Sequence, residues 1–532
     1  MNTKQLRQKI LDLAIKGKLV PQDPNDEPAS KLLERIREEK EQLIKEGKLK
    51  RDKNESYIFV GDDKLHYEKF ADGSVVCIED EIPFEIPESW VWCRLSEICI
   101  KLVDGAHNPP KGEDNKTDYI MASSTNINND TLVELEKVRY LSKENFISEN
   151  ARTNLKIGDI LLTTVGTLGR SCVYDNDLNL CFQRSVTVIT TLLFNHYLKN
   201  FFDSNFFQEI MIKEGTGTAQ KGFYLNQLSN VLIPVPPIDE QKRISEYISQ
   251  LSALIKNVDN NKIILYNLIK KTKAKVLDLA IKGKLVPQDP NDEPADKLLE
   301  KIREEKEKLI KESKLKRDKN ETYIFKNSDD NSYYEQIDGE TVCINDDLPF
   351  EIPDSWRWCK INNITTIKGG KRLPSGQSLL DNKTNHPYLR IVDMKNNTII
   401  DDDIHYISEE VFAKIKQYII TDEDLYITIA GTIGNVGIIP SKYNNANLTE
   451  NAVRVTPLLI NKKYLMYLTL SNYVQNQFID KTHHVAMPKL AIERIKKVLV
   501  PMPPLPEQNN IINKLENIFS YLNNLESIIK GS

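Results

Sequence analysis

Apolar positions recur at alternating spacings of four and three through one long stretch in the middle of the chain, Asp239 to Gly283. Ile244, Ile248, Leu251, Ile255, Val258, Lys262, Leu265, Ile269, Thr272, Val276 and Leu279 follow that spacing, and nine of the eleven are Ile, Leu or Val. No Pro or Gly interrupts before Gly283. This heptad seam is narrower than the apolar face of an ordinary surface helix, and it predicts a rod on the order of 60 Å long. A seam of that length needs a partner. The C-terminus repeats the spacing in Ile511, Leu515, Ile518, Leu522, Leu525 and Ile529. The N-terminal stretch Thr3 to Lys16 matches the second half of the rod through Ile10 and Leu13. End helix and start helix together are therefore expected to rebuild a second rod, antiparallel to the first about a pseudo-two-fold axis.

An internal repeat decides the architecture. LDLAIKGKLVPQDPNDEPA, Leu11 to Ala29, recurs unchanged at Leu277 to Ala295. Likeness continues from Lys31 to Phe59 against Lys297 to Phe325, and from Ile82 to Cys93 against Leu348 to Cys359. It collapses beyond that point and returns as VLIPVPPIDEQ (Val231 to Gln241) against VLVPMPPLPEQ (Val498 to Gln508). Each half is thus a near-constant frame around a variable insert of about 155 residues, the size of one globular domain. Drift after duplication would spread differences evenly, whereas here they are packed into the inserts. The expected organisation is an N-terminal helical region at 1–81, a first insert at 82–236, and a central helical region at 237–347. A second insert at 348–503 and a C-terminal helix at 504–532 complete it.

The inserts read as mixed α and β. In the first, a strand over Asp159 to Val165 is followed by the Gly166-Thr167-Leu168-Gly169-Arg170 turn and a strand over Ser171 to Tyr174. The second has Leu425 to Ala430, then Gly431-Thr432-Ile433-Gly434-Asn435, then Val436 to Ile439. Both predict a hairpin that offers a backbone edge and one polar residue, Arg170 or Asn435. The expected fold class is α/β mixed (α+β), two globular domains separated by long antiparallel coiled-coil helices. Between rod and insert lies a charged helix, Lys31 to Lys45, whose interleaved Lys and Glu read as a solvated face or as a docking surface for a partner present in two copies.

Composition narrows the class. Hydrophobic content of 40% fits globular domains, and 532 residues suffice for three or more. Seven cysteines without a Cys-x-x-Cys pair suggest reduced thiols in a cytoplasm. The N-terminus has no signal-peptide pattern, and no run approaches the ~18 apolar residues of a membrane span. A net charge of −5 means that any nucleic-acid contact must be local.

Catalytic motifs are tempting but incomplete. Asn108-Pro109-Pro110-Lys111 resembles an adenine-methyltransferase motif, yet its fourth residue is Lys and no Gly-rich cofactor turn precedes it. Gly215 to Gly222 lacks the Gly-Lys-[Ser/Thr] ending of a phosphate loop. His483-His484 lacks the spacing of a zinc site, so no metal site is expected. What the inserts offer instead is polar loop chemistry suited to base edges and phosphates. In the first insert the candidates are His107, Asn108, Lys111, Ser123, Ser124, Thr125, Asn126, Thr167, Arg170, Gln183, Arg184, Thr216, Thr218, Gln220 and Lys221. In the second they are Lys368, Lys371, Arg372, Arg390, Lys395, Thr432, Asn435, Asn451, His483, His484 and Lys489.

Two variable inserts, each closing in Pro-Pro-x-x-Glu-Gln (Pro236 to Gln241, Pro503 to Gln508) before a heptad helix, resemble the specificity subunit of Type I restriction–modification systems (HsdS). The resemblance covers essentially the whole chain. It implies two target recognition domains, each reading one half of a split, asymmetric site on double-stranded DNA, with helical spacers setting the unread gap. It also implies a non-catalytic role in a complex with two methylation subunits (HsdM) and two restriction subunits (HsdR). S-adenosylmethionine, ATP and magnesium would belong to those partners, and no cofactor to this chain. A Type IIB-like recognition subunit or a two-headed protein-binding scaffold would share the architecture. The long charged segment from Ala29 to about Asp80 departs from a minimal family pattern.

Overall fold

A computed structural model describes residues 2–52, 55–216, 221–318, 320–337, 339–479 and 489–531. The chain divides into two compact units, Met1–Lys262 and Ile263–Gly531. The boundary falls inside the central helix, Ile238–Ile281, which contributes one half to each unit.

In the first unit the centre is a four-stranded antiparallel sheet in the order Ser171–Val173, Ile160–Thr163, Val186–Thr191, Cys99–Asp104. Beside it, Asn179–Phe182 pairs in parallel with Tyr119–Ala122. The first and last strands of the insert, Val91–Arg94 and Leu232–Val235, pair with each other, so the domain leaves the frame where it entered. The second unit repeats the plan. Thr365–Gly369, Ala452–Pro457, Leu425–Thr428 and Val436–Ile438 form the sheet in the matching order, and Arg357–Lys360 pairs with Leu499–Met502. Both expected hairpins are present, with left-handed φ at Gly166, Gly169, Gly431 and Gly434.

The repeated stretches of sequence meet in space, and this gives the repeat a physical cause. Glu240 and Glu507, from the Pro-Pro-x-x-Glu-Gln close, are about 1% exposed. Each accepts a 2.9 Å hydrogen bond from a buried indole, Trp90 Nε1 or Trp356 Nε1, of the stretch that opens the insert. Each also accepts from a glutamine of the 19-residue repeat, Gln22 at 2.6 Å or Gln288 at 2.9 Å. Gln241 and Gln508 accept from the backbone N–H of Phe194 and Asn461 within the inserts, both at 2.9 Å. Their amides donate to the Pro236 and Pro503 carbonyls. Gly17 and Gly283, at φ of 64° and 65°, sit so close to Pro87 and Pro353 that a β-carbon would lie 2.3 or 2.4 Å from the proline ring. Three repeated stretches therefore build one joint in each unit.

Helix pairing follows from the same contacts. In the first unit, Thr3 Oγ1 donates to Asp259 (2.8 Å), while Gln22 and Asp26, past the end of the first helix, meet Glu240 and Arg243. The N-terminal helix, Thr3–Ile15, thus runs antiparallel to the central one. In the second unit Lys273 pairs with Glu526 and Gln288 with Glu507, so the C-terminal helix, Leu505–Gly531, is antiparallel to it as well. The regular spacing of the heptad seam predicts a partner along its whole length, but its coverage is partial. Ile244, Ile248 and Ile269 are buried, but Val258 is 47% and Leu265 41% exposed.

The charged helix keeps most of its interleaved Lys and Glu exposed, as its sequence reads, and seats on its unit through its apolar residues. In the helix Ala29–Lys45, Leu32, Leu33 and Ile36 are buried in the core of the first unit. Arg37 forms a 2.7 Å ion pair with the buried Glu97, and Lys40 donates to the Ser96 carbonyl. Two adjacent leucines and an isoleucine one turn on make a narrow apolar stripe, which suffices to seat the helix on its own unit. The residues after it form a small three-stranded sheet, Ser56–Val60, His66–Phe70 and Val75–Cys77.

The buried joint gives stability a pH dependence. Burial pushes the Glu507 carboxyl above the usual glutamate range, against the hydrogen bonds from Gln288 and Trp356 that pull it down. A folded-state pKa above the unfolded one means that the native state holds the proton more tightly. Its contribution is full below the ordinary glutamate value of about 4.3 and is lost as pH rises through the folded value. Glu507→Gln does not titrate. The melting temperature of the natural protein minus that of this variant is therefore expected to fall between pH 4 and pH 8; a difference that grows with pH would contradict the assignment.

Candidate nucleic-acid interface

Most of the candidate loops converge on one end of each insert domain. In the first, the Ala106 N–H donates to the Phe182 carbonyl and the Arg184 N–H returns to the Ala106 carbonyl (2.8 and 2.9 Å). Gln183 N–H reaches Ala122, Ser124 N–H reaches Ser185 Oγ, and Thr164 N–H reaches the Ser185 carbonyl. Gly166 N–H donates to the Lys221 carbonyl, and Thr216 pairs with Gly222. His107, Thr125, Arg184, Thr216 and Lys221 are thereby brought together with exposed side chains; Asn108 and Lys111 extend the first loop, also exposed. His107 is tethered to Asp104 at 2.8 Å.

The second domain has the same crossing. Lys371 N–H donates to the Leu448 carbonyl, Thr449 N–H to Leu389, and Ile429 N–H to the Asn451 carbonyl (2.8, 3.1 and 2.8 Å). An open cleft of about 550 Å³ lies there, lined by Gly369 to Arg372, Ile429, Glu450 and Lys489 to Ile492. Lys371, Arg372 and Lys489 give it a basic rim, and Lys368 is exposed at the end of the adjoining strand. Glu450, its acidic member, pairs with Arg372 at 2.7 Å. Burial pushes the Glu450 carboxyl up, but the Arg372 hydrogen bond and its neighbours outweigh this and hold it below the usual range.

Other candidates are committed elsewhere. Asn126, 3% exposed, accepts from Ser123 N–H and donates to the Val133 and Glu134 carbonyls. Ser123 and Ser124 belong to the same tight turn. Arg390 is held by Asp393 and Asp403. Asn435 donates to the Met394 carbonyl (2.7 Å), and Arg170 reaches the Ile127 carbonyl. The expected free edge at the two glycine turns is thus partly taken up, since Gln208 and Gln475 donate to the Gly169 and Gly434 carbonyls. Thr167 is half-buried in its turn, Thr432 exposed in the other, and Lys395 is exposed on a small hairpin. Asn451 serves through its backbone carbonyl. Thr218, Gln220, His483 and His484 lie outside the described residues.

The side chains that are turned inward give a clear expectation. Asn126→Ala and Asn435→Ala would each remove hydrogen bonds to part-buried carbonyls and cost about 0.5–1.5 kcal/mol. Both variants should melt lower while leaving unchanged whatever sequence the protein selects, as judged by thermal denaturation beside a binding-site selection. A changed selection would move these side chains back into the interface.

Among the described residues no group of three or more His, Cys, Asp or Glu is placed to hold a metal ion, and no helix is long and apolar enough to cross a membrane. Two domains of one fold, each with a polar loop-built face and both set in a repeated frame, make this a two-headed recognition protein. Residues 87–265 and 353–530 match the Type I restriction modification DNA specificity domain, and the chain belongs to that family. It is 27% identical to the Type I restriction enzyme EcoAI specificity subunit of Escherichia coli, over 99% of this chain and 90% of that one. It is also 27% identical to the EcoEI specificity subunit of Escherichia coli, over 99% and 91%. Its fold is that of a chain solved in work on complex assembly and conformational transition of the type I R-M system. The TM-score is 0.55 at 16% identity, over 84% of this chain and 95% of that one.

Proposed function

We propose that the chain is the specificity subunit of a Type I restriction–modification complex and that each insert domain reads one half of a split, asymmetric DNA site. The observation that carries this is the matched loop crossing. One backbone scaffold, set in one frame, presents different side chains in the two domains: His107, Gln183 and Arg184 in one, Lys371, Arg372 and Glu450 in the other. A scaffold held constant while its outward residues change is suited to recognising two different sequences. The helical spacer would set the length of the unread gap.

In this reading the chain supplies selection and no catalytic group. Two methylation subunits act on adenine N6 and two restriction subunits cleave, and S-adenosylmethionine, ATP and magnesium are bound by those partners in the cytoplasm. The uncovered apolar residues of the central and C-terminal helices, among them Leu254, Ile264, Leu268 and Ile528, support association with partner helices. Its family membership and its likeness to named Type I specificity subunits over nearly its full length favour this system over a Type IIB-like one.

Selection from a random duplex library, with the chain bound to its methylation subunits, tests the reading. The enriched sequences should hold two fixed blocks separated by an unread gap. A single contiguous block, or no enrichment above competitor DNA, would count against it.

A further inference from the structure

The two loop crossings share their Ala106/Lys371, Gln183/Thr449 and Thr164/Ile429 backbone hydrogen bonds, and one position in them differs in the sign of its charge. Gly105 and Gly370 pass so close beneath the opposing loop that a β-carbon would lie 2.2 Å from the Phe182 carbonyl oxygen and 2.5 Å from that of Leu448. The next residue donates its N–H to Phe182 in one domain and to Leu448 in the other. Three residues beyond those carbonyls, Ser185 and Asn451 accept the N–H of Thr164 and Ile429. Between these two clamps, at the same place in both domains, stand Arg184 and Glu450.

We infer, resting on the reading of the domains as DNA-binding, that this position reads a base in both half-sites with opposite hydrogen-bond polarity. Arg184 donates to the O6 and N7 of a guanine, and Glu450 accepts from the N4 amino group of a cytosine. These are the base edges that the two side chains match in the major groove. Arg184 is exposed and its backbone is fixed on both sides. Glu450 lies in the basic cleft, with Thr449 Oγ1 bonded to one carboxylate oxygen (3.1 Å) and Arg372 to the other (2.7 Å). The Arg372 side chain is 79% exposed while that of Glu450 is 24% exposed, so the arginine end of the pair lies in solvent above a half-buried carboxylate. In the DNA complex Arg372 turns to a phosphate and leaves the Glu450 carboxylate to a base. A carboxylate in a groove that faces phosphates lowers affinity for every sequence except one that meets it with a donor, so its effect is to discriminate.

The test is methylation mapping in cells that carry the intact partner genes and the natural chain, Arg184→Ala, Glu450→Gln or Glu450→Ala. With Arg184→Ala, one G:C position in one half-site should lose about tenfold or more of its discrimination, and the other half-site should be unchanged. With either Glu450 variant, one C:G position should relax in the opposite half-site alone. Glu450→Gln keeps the side chain's shape, and melting curves on the purified complexes show whether Glu450→Ala still folds. An unchanged motif with all three variants would overturn the inference, as would uniformly weaker methylation with the motif intact, which would assign these groups to phosphate or to structure. If the natural chain itself directs no split motif, the DNA-specificity reading fails and the inference falls with it. A split motif that the variants leave intact overturns the inference alone.

Discussion

Replacing Trp356 with alanine is expected to unfold the second unit. The indole is 0% exposed, packs in the main core of that unit and donates to the buried Glu507. Removing a buried aromatic side chain costs about 3–5 kcal/mol. Leaving a buried acceptor without its donor adds about 1–3 kcal/mol. The sum rivals the whole stability of a typical domain, about 5–15 kcal/mol. Limited proteolysis followed by mass spectrometry should place the new cuts within Ile263–Gly531. Trp356→Phe, which keeps most of the packing but not the hydrogen bond, should fall between. Trp90→Ala should do the same to the first unit, because Trp90 meets Glu240 in the matching joint. Near-natural resistance of both alanine variants would show that the repeated stretches do not hold the units together.

Gly370→Val is expected to leave the frame folded and to abolish reading of one half-site. Its β-carbon would be driven into the Thr449 and Leu448 backbone, and backbone cannot swing aside as a long side chain can. The crossing must open, scattering Lys371, Arg372 and Glu450. Affinity for the selected duplex should then drop toward the nonspecific level, a loss of about a thousandfold or more at fixed salt. Gly105→Val should do the same through the other domain, against Phe182 and Gln183. Titration of labelled duplexes in which only one half-site is intact separates the two effects. Equal loss at both half-sites from one substitution would contradict the assignment of one domain to each.

How much of this was legible in the sequence follows from the range of the contacts involved. The repeat and the central helix were legible because spacing and identity are local properties. So were the hairpins, since Gly166-Thr167-Leu168-Gly169 and Gly431-Thr432-Ile433-Gly434 join strands that are adjacent in the chain. The Glu-Gln pair stood out as a family marker, but its role did not. Glu240 and Glu507 meet tryptophans 150 and 151 residues away, and nothing in the spacing links them. The interface was legible in part for the same reason. Polar residues in Gly-rich loops picked out His107, Arg184 and Lys371, and the structure brings their loops together. The same rule also picked out Asn126, Arg390 and Asn435, because composition does not distinguish a side chain that braces its own loop from one that points outward. Glu450 was missed. A lone acid in a polar stretch carries no signal until the clamp around it is matched to the one around Arg184. The seam was legible as a pattern but not as an extent of burial, since coverage depends on where the shorter helices end.

As the proposed specificity subunit, this chain selects the DNA site at which its partners act. The most direct measurement is methylation mapping of genomic DNA from cells with and without the chain, the neighbouring genes left intact. Loss of N6-methyladenine at one split, asymmetric motif, with every other methylated motif retained, is the expected result. An unchanged methylome in cells that express the whole system would contradict the account.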